Sequence, residues 1–305
     1  MSRRMRYGVI ILPEYNWPRA QDLWRNAEAM GFDHAWTYDH LQWRWLSDKP
    51  WFGAIPTLTA AALATSRIGL GTLVASTRLR DPVVFAKEIM TLDDISGGRT
   101  LCGVGSGGPD RDVLRGHELT RRQLVARYGE FVELLDSLLR QEPVIFEGTY
   151  YTCHNTLLQP ACLQRPRTPL CVAAAGPQGM RLAARFADIW ITTGAPNIFD
   201  EAPYADSVLL IKDQVTALEQ ACHEVGRDPA SLGRLLVTGP SIGGVLDSVG
   251  SFQDAAGTFQ AVGITDFVVH WPRPDFPYRG DPSVMEEIAS ILPTAPGDRE
   301  NLKAA

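Results

Sequence analysis

The stretch RIGLGTLVASTRLRDPVVFAKEIMTLDDISGGRTLCGVG, residues 67–105, decides the fold class. Residues with high β-propensity fill 67–74 and 100–105, and an amphipathic helical pattern spans 81–95 between them. Pro82 is tolerated there because it falls in the first turn of the helix. A strand, a helix and a second strand in this order predict two parallel strands joined by a crossover helix.

The same alternation extends along the whole chain. The chain shows no linker and no low-complexity tract, and its amino-acid composition does not shift from one part to another. About eight such units favour a closed eightfold β/α (TIM) barrel over an open doubly wound sheet, so we expect one α/β domain over 1–305. The predicted units, strand first and helix second, are 6–12 with 18–30, 33–38 with 55–65, 67–74 with 81–95, 100–105 with 121–140, 170–174 with 178–186, 189–192 with 205–225, 235–238 with 252–262, and 267–270 with 282–292.

Two segments depart from this alternation. Residues 143–166 contain Gly148, two tyrosines and scattered β-forming residues, which predicts a small hairpin insertion. Residues 294–305 are rich in proline, glycine and charge, which predicts a loose C-terminal tail.

The composition excludes several classes of protein. The 305 residues include 29 Lys+Arg and 35 Asp+Glu, and the net charge of −6 argues against a general nucleic-acid binder. The apolar run 9–12 is too short for a signal peptide, and no window is long enough to span a membrane. Five cysteines without a C-x-x-C motif predict reduced, mostly buried thiols, and we expect a cytoplasmic protein.

The residues after the predicted strands point to a binding site. In an eightfold barrel the active site lies at the carboxyl ends of the strands, where these residues meet. Glycines allow close approach of a ligand and backbone amides bind phosphate, although loops favour Gly, Ser and Thr in any case. In chain order the strand-end residues are Asp39-His40, Ala75-Ser76-Thr77, Gly105-Ser106-Gly107-Gly108, Ala175-Gly176-Pro177, Thr192-Thr193-Gly194, Gly239, and His270-Trp271.

Other motifs in the chain carry little weight. Gly103-x-Gly105-x-x-Gly108 matches a dinucleotide fingerprint by spacing, but the third glycine does not open a helix directly. Ser106 lacks the glycine spacing of a nucleophile elbow. Because no cluster of histidine, cysteine or paired acids has the spacing of metal ligands, no metal site is predicted.

Asp39-His40 is the sharper candidate for chemistry. A histidine beside a carboxylate at a strand end suits proton transfer near neutral pH. An aspartate that caps the following loop, with a histidine packed beneath it, is an equally good interpretation of the same pair.

The loop 41–53 contains Trp43, Trp45 and Trp51, which are costly to expose together. They would wall a substrate pocket together with His270 and Trp271, or else lie in a subunit interface. Six arginines follow the third and fourth strands, where they form ordinary solvated surface or a landing site for an anionic cofactor tail. These are Arg78, Arg80, Arg111, Arg115, Arg121 and Arg122.

From about residue 6 to residue 292 the chain resembles the bacterial-luciferase-like superfamily. The resemblance rests on the predicted barrel and on seven motifs. They are WTYDH at 36–40, GLGTLV at 69–74, ISGGR at 95–99, GVGSG at 103–107, FEGTYY at 146–151, AAGP at 174–177 and ARFAD at 184–188.

The resemblance implies a flavin-type cofactor and residues that bind it. Members use FMN or coenzyme F420, a deazaflavin, and an Asp-His pair after the second strand is typical of the F420 branch. By similarity, Asp39 and His40 would lie over the deazaflavin ring, and the Leu73–Val74 bond would be a non-proline cis peptide. The other implied cofactor-binding positions are Ser76, Ser106, Gly107, Ala175, Gly176, Pro177 and Thr193.

One position departs from the related sugar-phosphate dehydrogenase. That enzyme has a glutamate, a second acid/base, where this chain has Gly108, so a sugar-phosphate substrate is doubtful.

The implied function is a reductase or dehydrogenase that passes hydride between reduced F420 and a C=N, C=C or C=O bond of a mid-sized organic substrate. The alternative is an FMNH2-dependent monooxygenase on the same barrel, and a barrel that binds a ligand without turnover has lower weight. The expected assembly is a homodimer.

Overall fold

Parallel strands close into a barrel around a filled interior. A computed structural model describes residues 4–107, 119–194 and 203–292. The barrel strands are β1 (Arg6–Ile10), β2 (His34–Thr37), β3 (Gly69–Thr72), the short β4 (Ala75–Ser76), β5 (Thr100–Gly105), β8 (Leu170–Ala173), β9 (Ile189–Thr192), β10 (Gly233–Val237) and β11 (Asp266–His270). They are hydrogen-bonded in the order β3-β2-β1-β11-β10-β9-β8-β5-β4, and a further pairing of β3 with β5 closes the ring.

Helices follow the barrel strands and surround them, which confirms the predicted β/α barrel. Their ends agree with the capping residues of the sequence: Asp81 accepts hydrogen bonds from the amides of Val83 and Val84, and Thr120 forms a capping box with Gln123. The helices in the described part of the chain are α1 (Trp17–Ala29), α2 (Ala54–Ala64), α3 (Pro82–Ile95), α4 (Arg121–Leu138), α5 (Pro177–Phe186), α6 (Tyr204–Glu224), α7 (Val249–Ala261) and α8 (Ser283–Ile291).

The predicted insertion is an antiparallel hairpin of β6 (Val144–Glu147) and β7 (Thr152–Thr156). Glu130 of α4 fastens its turn, because the carboxylate accepts hydrogen bonds from the backbone amides of Thr149, Tyr150 and Tyr151. The predicted tail, 294–305, lies outside the described residues.

Two separate hydrophobic clusters result from the alternation of side chains along each strand. The outer cluster lies between strands and helices and includes Trp24, Phe85 and Phe259. The inner cluster fills the barrel interior with Ile10 and Trp36, and with further residues of the strands, their ends and the loop after β2. These are Leu12, Tyr38, Trp43, Leu46, Leu73, Cys171, Ile189, Ile191, Leu235, Val237 and Val268.

A buried polar network closes the amino end of the barrel. His34 Nε2 lies 3.1 Å from Asp266 Oδ1, and Trp36 Nε1 donates to His34 Nδ1 at 2.7 Å. Arg6 adds an ion pair to the same Asp266 oxygen at 2.6 Å. Gly8 makes room for this network, since a Cβ at that position would lie 2.2 Å from His34 Nδ1.

All five cysteines are free and buried, as the sequence predicts. Among the helices in the described ranges, none combines the length and the apolar character that crossing a bilayer requires.

Candidate active site

The carboxyl end of the barrel brings together the residues that follow β2, β3 and β11. Asp39 is buried directly after β2, and both of its carboxylate oxygens accept hydrogen bonds from Arg80, at 2.7 and 2.8 Å. The Ser76 amide donates to the same carboxylate at 3.3 Å, and Arg80 also donates to Glu88 at 2.7 Å. Asp39 is therefore held as a buried carboxylate by a bidentate ion pair.

This ion pair bears on two hypotheses from the sequence. The Asp39 carboxylate, proposed either to orient His40 or to cap the following loop, is engaged by Arg80. Arg80 itself, proposed either as solvated surface or as part of a landing site for a cofactor tail, is paired with Asp39 and Glu88. Burial alone would lower the pKa of Arg80, but the hydrogen bond and charge of Asp39, together with Glu88, raise it. Arg80 thus stays positively charged, and its guanidinium holds the Asp39 carboxylate in place.

His40 is half-buried at the mouth of the barrel. Its ring packs against Trp43, with ring centroids 4.6 Å apart, and meets the ring of Tyr38 edge-on at 6.0 Å. Trp43 is buried and also contacts Tyr38, at 5.0 Å. The imidazole therefore has an aromatic wall on one side and remains accessible on another.

Tyr38, His270 and Tyr278 form a second polar group at this end. Tyr38 Oη lies 2.7 Å from His270 Nε2 and 3.1 Å from Tyr278 Oη. The rings of His270 and Tyr278 stack with centroids 3.5 Å apart. The group joins the end of β2 to the end of β11 and to the loop that follows it.

Burial sets the protonation of these three side chains. It lowers the pKa of His270 to about 3, against the opposing effect of a hydrogen bond to the Thr238 backbone. It raises the pKa values of Tyr38 and Tyr278 well above their usual value. At neutral pH the imidazole is uncharged, so Nε2 accepts a hydrogen bond from the Tyr38 hydroxyl and the other ring nitrogen donates to the Thr238 backbone.

The loop after β11 is anchored by a buried ion pair. Arg273 donates to both carboxylate oxygens of Glu14, at 2.6 and 2.7 Å, and to the backbone carbonyls of Asp275 and Pro277. These contacts place Tyr278 over His270 and leave Phe276 exposed at the rim.

The predicted cofactor-binding positions after β3 and β5 lie beside each other. The Leu73–Val74 peptide bond is cis, as the family resemblance implies. The hydroxyl of Ser76 is buried and has no hydrogen-bond partner among the described residues. A Cβ on Gly107 would lie 2.7 Å from that hydroxyl and from Arg78 Cδ, and Gly107 has a φ of +95°. A buried, unsatisfied hydroxyl beside a glycine that has no side chain suits a ligand that approaches the backbone closely.

The residues after β8 and β9 leave room on the adjacent side of the mouth. Gly176 precedes α5, and a Cβ there would have no atom within 4 Å. Ala175 and Pro177 beside it are exposed, as is Ser106 after β5, and Thr193 is half-buried. Exposed positions before a helix N-terminus suit a phosphate group, so the residues present fit the cofactor implied by the family resemblance.

The predicted aromatic pocket residues do not all lie together. Trp43 is buried against His40, and Trp45 lies at the rim, edge-on to Phe276 at 5.2 Å. Trp271 packs against the outer cluster, because alternation along the chain turns it away from His270. The expectation that Trp271 lines the pocket is therefore not supported by its position.

Several sequence-based expectations concern residues outside the described ranges, namely Gly108, Arg111 and Arg115. Arg121 and Arg122 are exposed at the start of α4. Sequence reasoning missed Tyr38 and Tyr278 as site residues. Tyr38 lies directly before Asp39-His40 and was open to detection, whereas nothing in the sequence connects Tyr278 with a strand more than two hundred residues earlier.

The chain is similar in sequence to curated enzymes. At 38% identity over 172 residues, the chain is similar to an F420-dependent glucose-6-phosphate dehydrogenase of Beutenbergia cavernae, covering 55% of this chain and 50% of the relative. An enzyme of the same name from Nakamurella multipartita is 34% identical over 227 residues, 70% of this chain and 61% of the relative. The chain thus spans only about half to three fifths of the length of these relatives.

Solved structures share the fold. An F420-dependent secondary alcohol dehydrogenase in complex with an F420-acetone adduct superposes with a TM-score of 0.77 at 18% identity, over 95% of this chain and 98% of that one. The monooxygenase RslO1 from Streptomyces bottropensis superposes with a TM-score of 0.68 at 20% identity, over 94% and 98%. At these identities the likeness shows the barrel fold alone.

A sequence model described as luciferase-like monooxygenase matches residues 5–231, which is well over half of the chain. The chain therefore belongs to the luciferase-like monooxygenase family.

Proposed function

We propose that this protein is an F420-dependent oxidoreductase that transfers a hydride between reduced F420 and a C=N, C=C or C=O bond of a mid-sized organic substrate. The observation that carries the proposal is the buried, unsatisfied hydroxyl of Ser76 beside Gly107, at the mouth where Asp39 and His40 also lie. The relatives named F420-dependent dehydrogenases support the choice of cofactor.

The residues that would hold the cofactor lie on three sides of the mouth. Asp39, Leu73, Val74 and Ser76 belong to the β2 and β3 side, and they would contact the ring. The remaining positions, at the ends of β5, β8 and β9, would bind the phosphate and the linker. They are Ser106, Gly107, Ala175, Gly176, Pro177 and Thr193.

When bound, F420 supplies the hydride, and its carbon at the reactive position makes it a poor activator of O2. The protein positions the reactants, excludes water and moves the proton that balances the hydride. His40 is the group that would give this proton to the substrate oxygen, nitrogen or carbon in the reducing direction, or take it in the oxidising direction. Asp39 is unsuited to that role, because both of its carboxylate oxygens accept hydrogen bonds from Arg80.

Tyr38 and Trp43 support His40 in this scheme. Their rings pack on the imidazole and on each other, and both side chains are buried. They would limit the rotation of His40 and keep water from one face of the reaction site.

The alternative function is an FMNH2-dependent monooxygenase, favoured by the description of the matching family and by the likeness to RslO1. Titration of the protein with F420 and with FMN, followed by tryptophan fluorescence, separates the two. We expect F420 to bind at least about tenfold more tightly, a difference of about 1.4 kcal/mol. Equal affinity, or tighter binding of FMN, would favour the monooxygenase.

Two further properties belong to the proposal. We infer a homodimer, which light scattering coupled to size-exclusion chromatography measures directly. We also infer a cytoplasmic location, because five buried free thiols are typical of a reducing compartment. Cell fractionation with a redox-sensitive alkylating reagent tests the location.

A further inference from the structure

The substrate side of the mouth is built from aromatic rings. Tyr38 and Trp43 belong to the inner cluster that also contains Leu73, and Trp51 and Tyr278 pack against it. Trp43 and Trp51 are nearly parallel, at an angle of 19° with centroids 6.2 Å apart. The wall is therefore continuous with the position expected for the cofactor ring.

The rim continues this wall toward solvent. Trp45 and Phe276 are 48% and 57% exposed, and their rings meet edge-on at 5.2 Å. They come from different loops, the one after β2 and the one after β11. Two large exposed aromatic side chains in contact at a barrel mouth are the kind of apolar surface that marks a ligand entrance.

His270, Tyr38 and Tyr278 are uncharged polar groups of the wall, and the charge of Arg273 beside them is paired. His270 is a neutral hydrogen-bond acceptor for Tyr38, and the hydroxyls of Tyr38 and Tyr278 are protonated. Arg273 is neutralised by Glu14, with both side chains 8% exposed. An anionic substrate would find no compensation in these groups.

One more cation, Arg44, lies at the rim. Its guanidinium carbon is 5.4 Å from the ring centroid of Trp43 and 5.6 Å from that of Trp45. The guanidinium thus makes cation–π contacts with both rings, which widens the surface that the wall offers to a flat ligand.

We propose that the substrate is a flat, uncharged, conjugated organic molecule held by the exposed rings of Trp45 and Phe276 at the rim of the aromatic wall, and not a sugar phosphate. This inference rests on the proposed function, since the wall is placed relative to the expected cofactor. It assigns to this chain a substrate class different from that named for its glucose-6-phosphate dehydrogenase relatives.

The test uses the full chain, with and without bound F420, and three probes measured by isothermal titration calorimetry at pH 7.5. Coumarin is flat, neutral and conjugated; coumarin-3-carboxylate has the same ring with a negative charge; glucose 6-phosphate is an anionic sugar. We expect coumarin to bind at least about tenfold more tightly than its carboxylate, and glucose 6-phosphate to bind most weakly.

Variants link the binding to the wall. Trp45→Ala and Phe276→Ala remove exposed rings, so both should fold, and each should weaken coumarin binding about fivefold. Phe52→Ala is the matched control, because Phe52 is an exposed ring of the same loop that lines a different cleft with Trp17 and Trp24. The Arg44→Gln variant should still bind coumarin more tightly than coumarin-3-carboxylate.

The outcomes separate this inference from the proposed function. Tighter binding of glucose 6-phosphate than of coumarin, or unchanged coumarin affinity in both Trp45→Ala and Phe276→Ala, overturns the substrate class even if F420 binds normally. Failure of F420 to bind, with coumarin still held by the wall, overturns the proposed function and leaves the substrate site intact.

Discussion

Each end of the barrel contains a buried histidine, and the two histidines differ in what surrounds them. At the amino end, both ring nitrogens of His34 have partners, Trp36 and Asp266, and Arg6 completes the network. At the carboxyl end, His270 is equally buried, but its network of tyrosines leads to the open mouth.

The space around the two networks differs more clearly than their hydrogen bonds do. Around His34 a Cβ on Gly8 would collide with the ring, so the space is filled. At the mouth, the Ser76 hydroxyl lacks a partner among the described residues and a Cβ on Gly176 would meet open space. Buried polar groups are normally satisfied, but Arg6 Nε at the amino end also lacks a partner among the described residues, so the two ends differ in open space and not in hydrogen bonding. We therefore expect the filled end to serve stability and the open end to serve binding. Variants at the amino end should therefore change the free energy of unfolding, and variants at the carboxyl end should change cofactor binding or turnover.

The largest expected effect is that of His40→Ala on turnover with F420. If His40 transfers the proton, the rate should fall by about 10²–10⁴-fold with little change in cofactor affinity or stability. His154→Ala, an exposed histidine in the hairpin, is the control and should have full activity. Near-normal turnover in a stable His40→Ala protein would remove His40 from the mechanism. Asp39→Ala is a poor companion test, because it also leaves Arg80 unpaired.

The second prediction concerns the amino end. Asp266→Ala removes the partner of His34 and Arg6, and we expect the free energy of unfolding to fall by about 3 kcal/mol. The folded fraction should bind F420 normally. Urea unfolding measures the loss, and Asp254→Ala, at an exposed site on α7, should change stability by less than about 0.5 kcal/mol. Lost cofactor affinity in folded Asp266→Ala would contradict the division between the two ends.

The third prediction concerns Gly176→Asp at the mouth. The side chain has room, so the protein should fold, but its charge would repel the expected phosphate. We expect F420 to bind at least about tenfold more weakly, as measured by fluorescence titration. Gly257→Asp in α7, where a Cβ also has open space, should bind F420 like the parent protein. Unchanged affinity in Gly176→Asp would move the phosphate site away from β8.

The smallest effect is a difference in pH dependence. The pKa of His270 falls from an unfolded value of about 6.5 to about 3 on folding, so the unfolded state binds more protons between these values. Stability should therefore decrease as the pH is lowered from 6.5, by roughly 1 kcal/mol per pH unit. His270→Gln should lack this component, whereas His223→Gln, at an exposed site, should retain it.

The stability contribution of the amino-end network should be lost in a lower pH range than that of His270. Burial raises the pKa of Asp266, but the hydrogen bond from His34 and the charge of Arg6 outweigh it and lower the pKa. Its contribution is therefore present above the unfolded pKa of about 3.8 and is lost as the pH falls through the lower folded value. Urea unfolding at pH 7, 6 and 5 therefore measures the contribution of His270 to stability without that of Asp266. If the stability of His270→Gln depended on pH as strongly as that of the parent protein, the assignment of His270 as a buried neutral ring would be contradicted.

Some of the site was predictable and some was not. Asp39, His40, Ser76 and Gly176 lie directly after β-rich runs, and a parallel barrel gathers such positions at one end. The cis Leu73–Val74 bond came only from the family resemblance. The partners of Asp39 were not predictable, because Arg80 lies 41 residues away and the choice between His40 and Arg80 depends on side-chain directions.

The sequence by itself determined the barrel, because periodicity, caps and strand-ending residues are local properties that repeat along the chain. It also determined which residue types reach the carboxyl end. Only the tertiary structure decided that Asp39 pairs with Arg80, that Trp271 faces outward and that Tyr278 stacks on His270. These contacts join residues distant in sequence, and they depend on how the closed ring turns each loop, which no local pattern encodes.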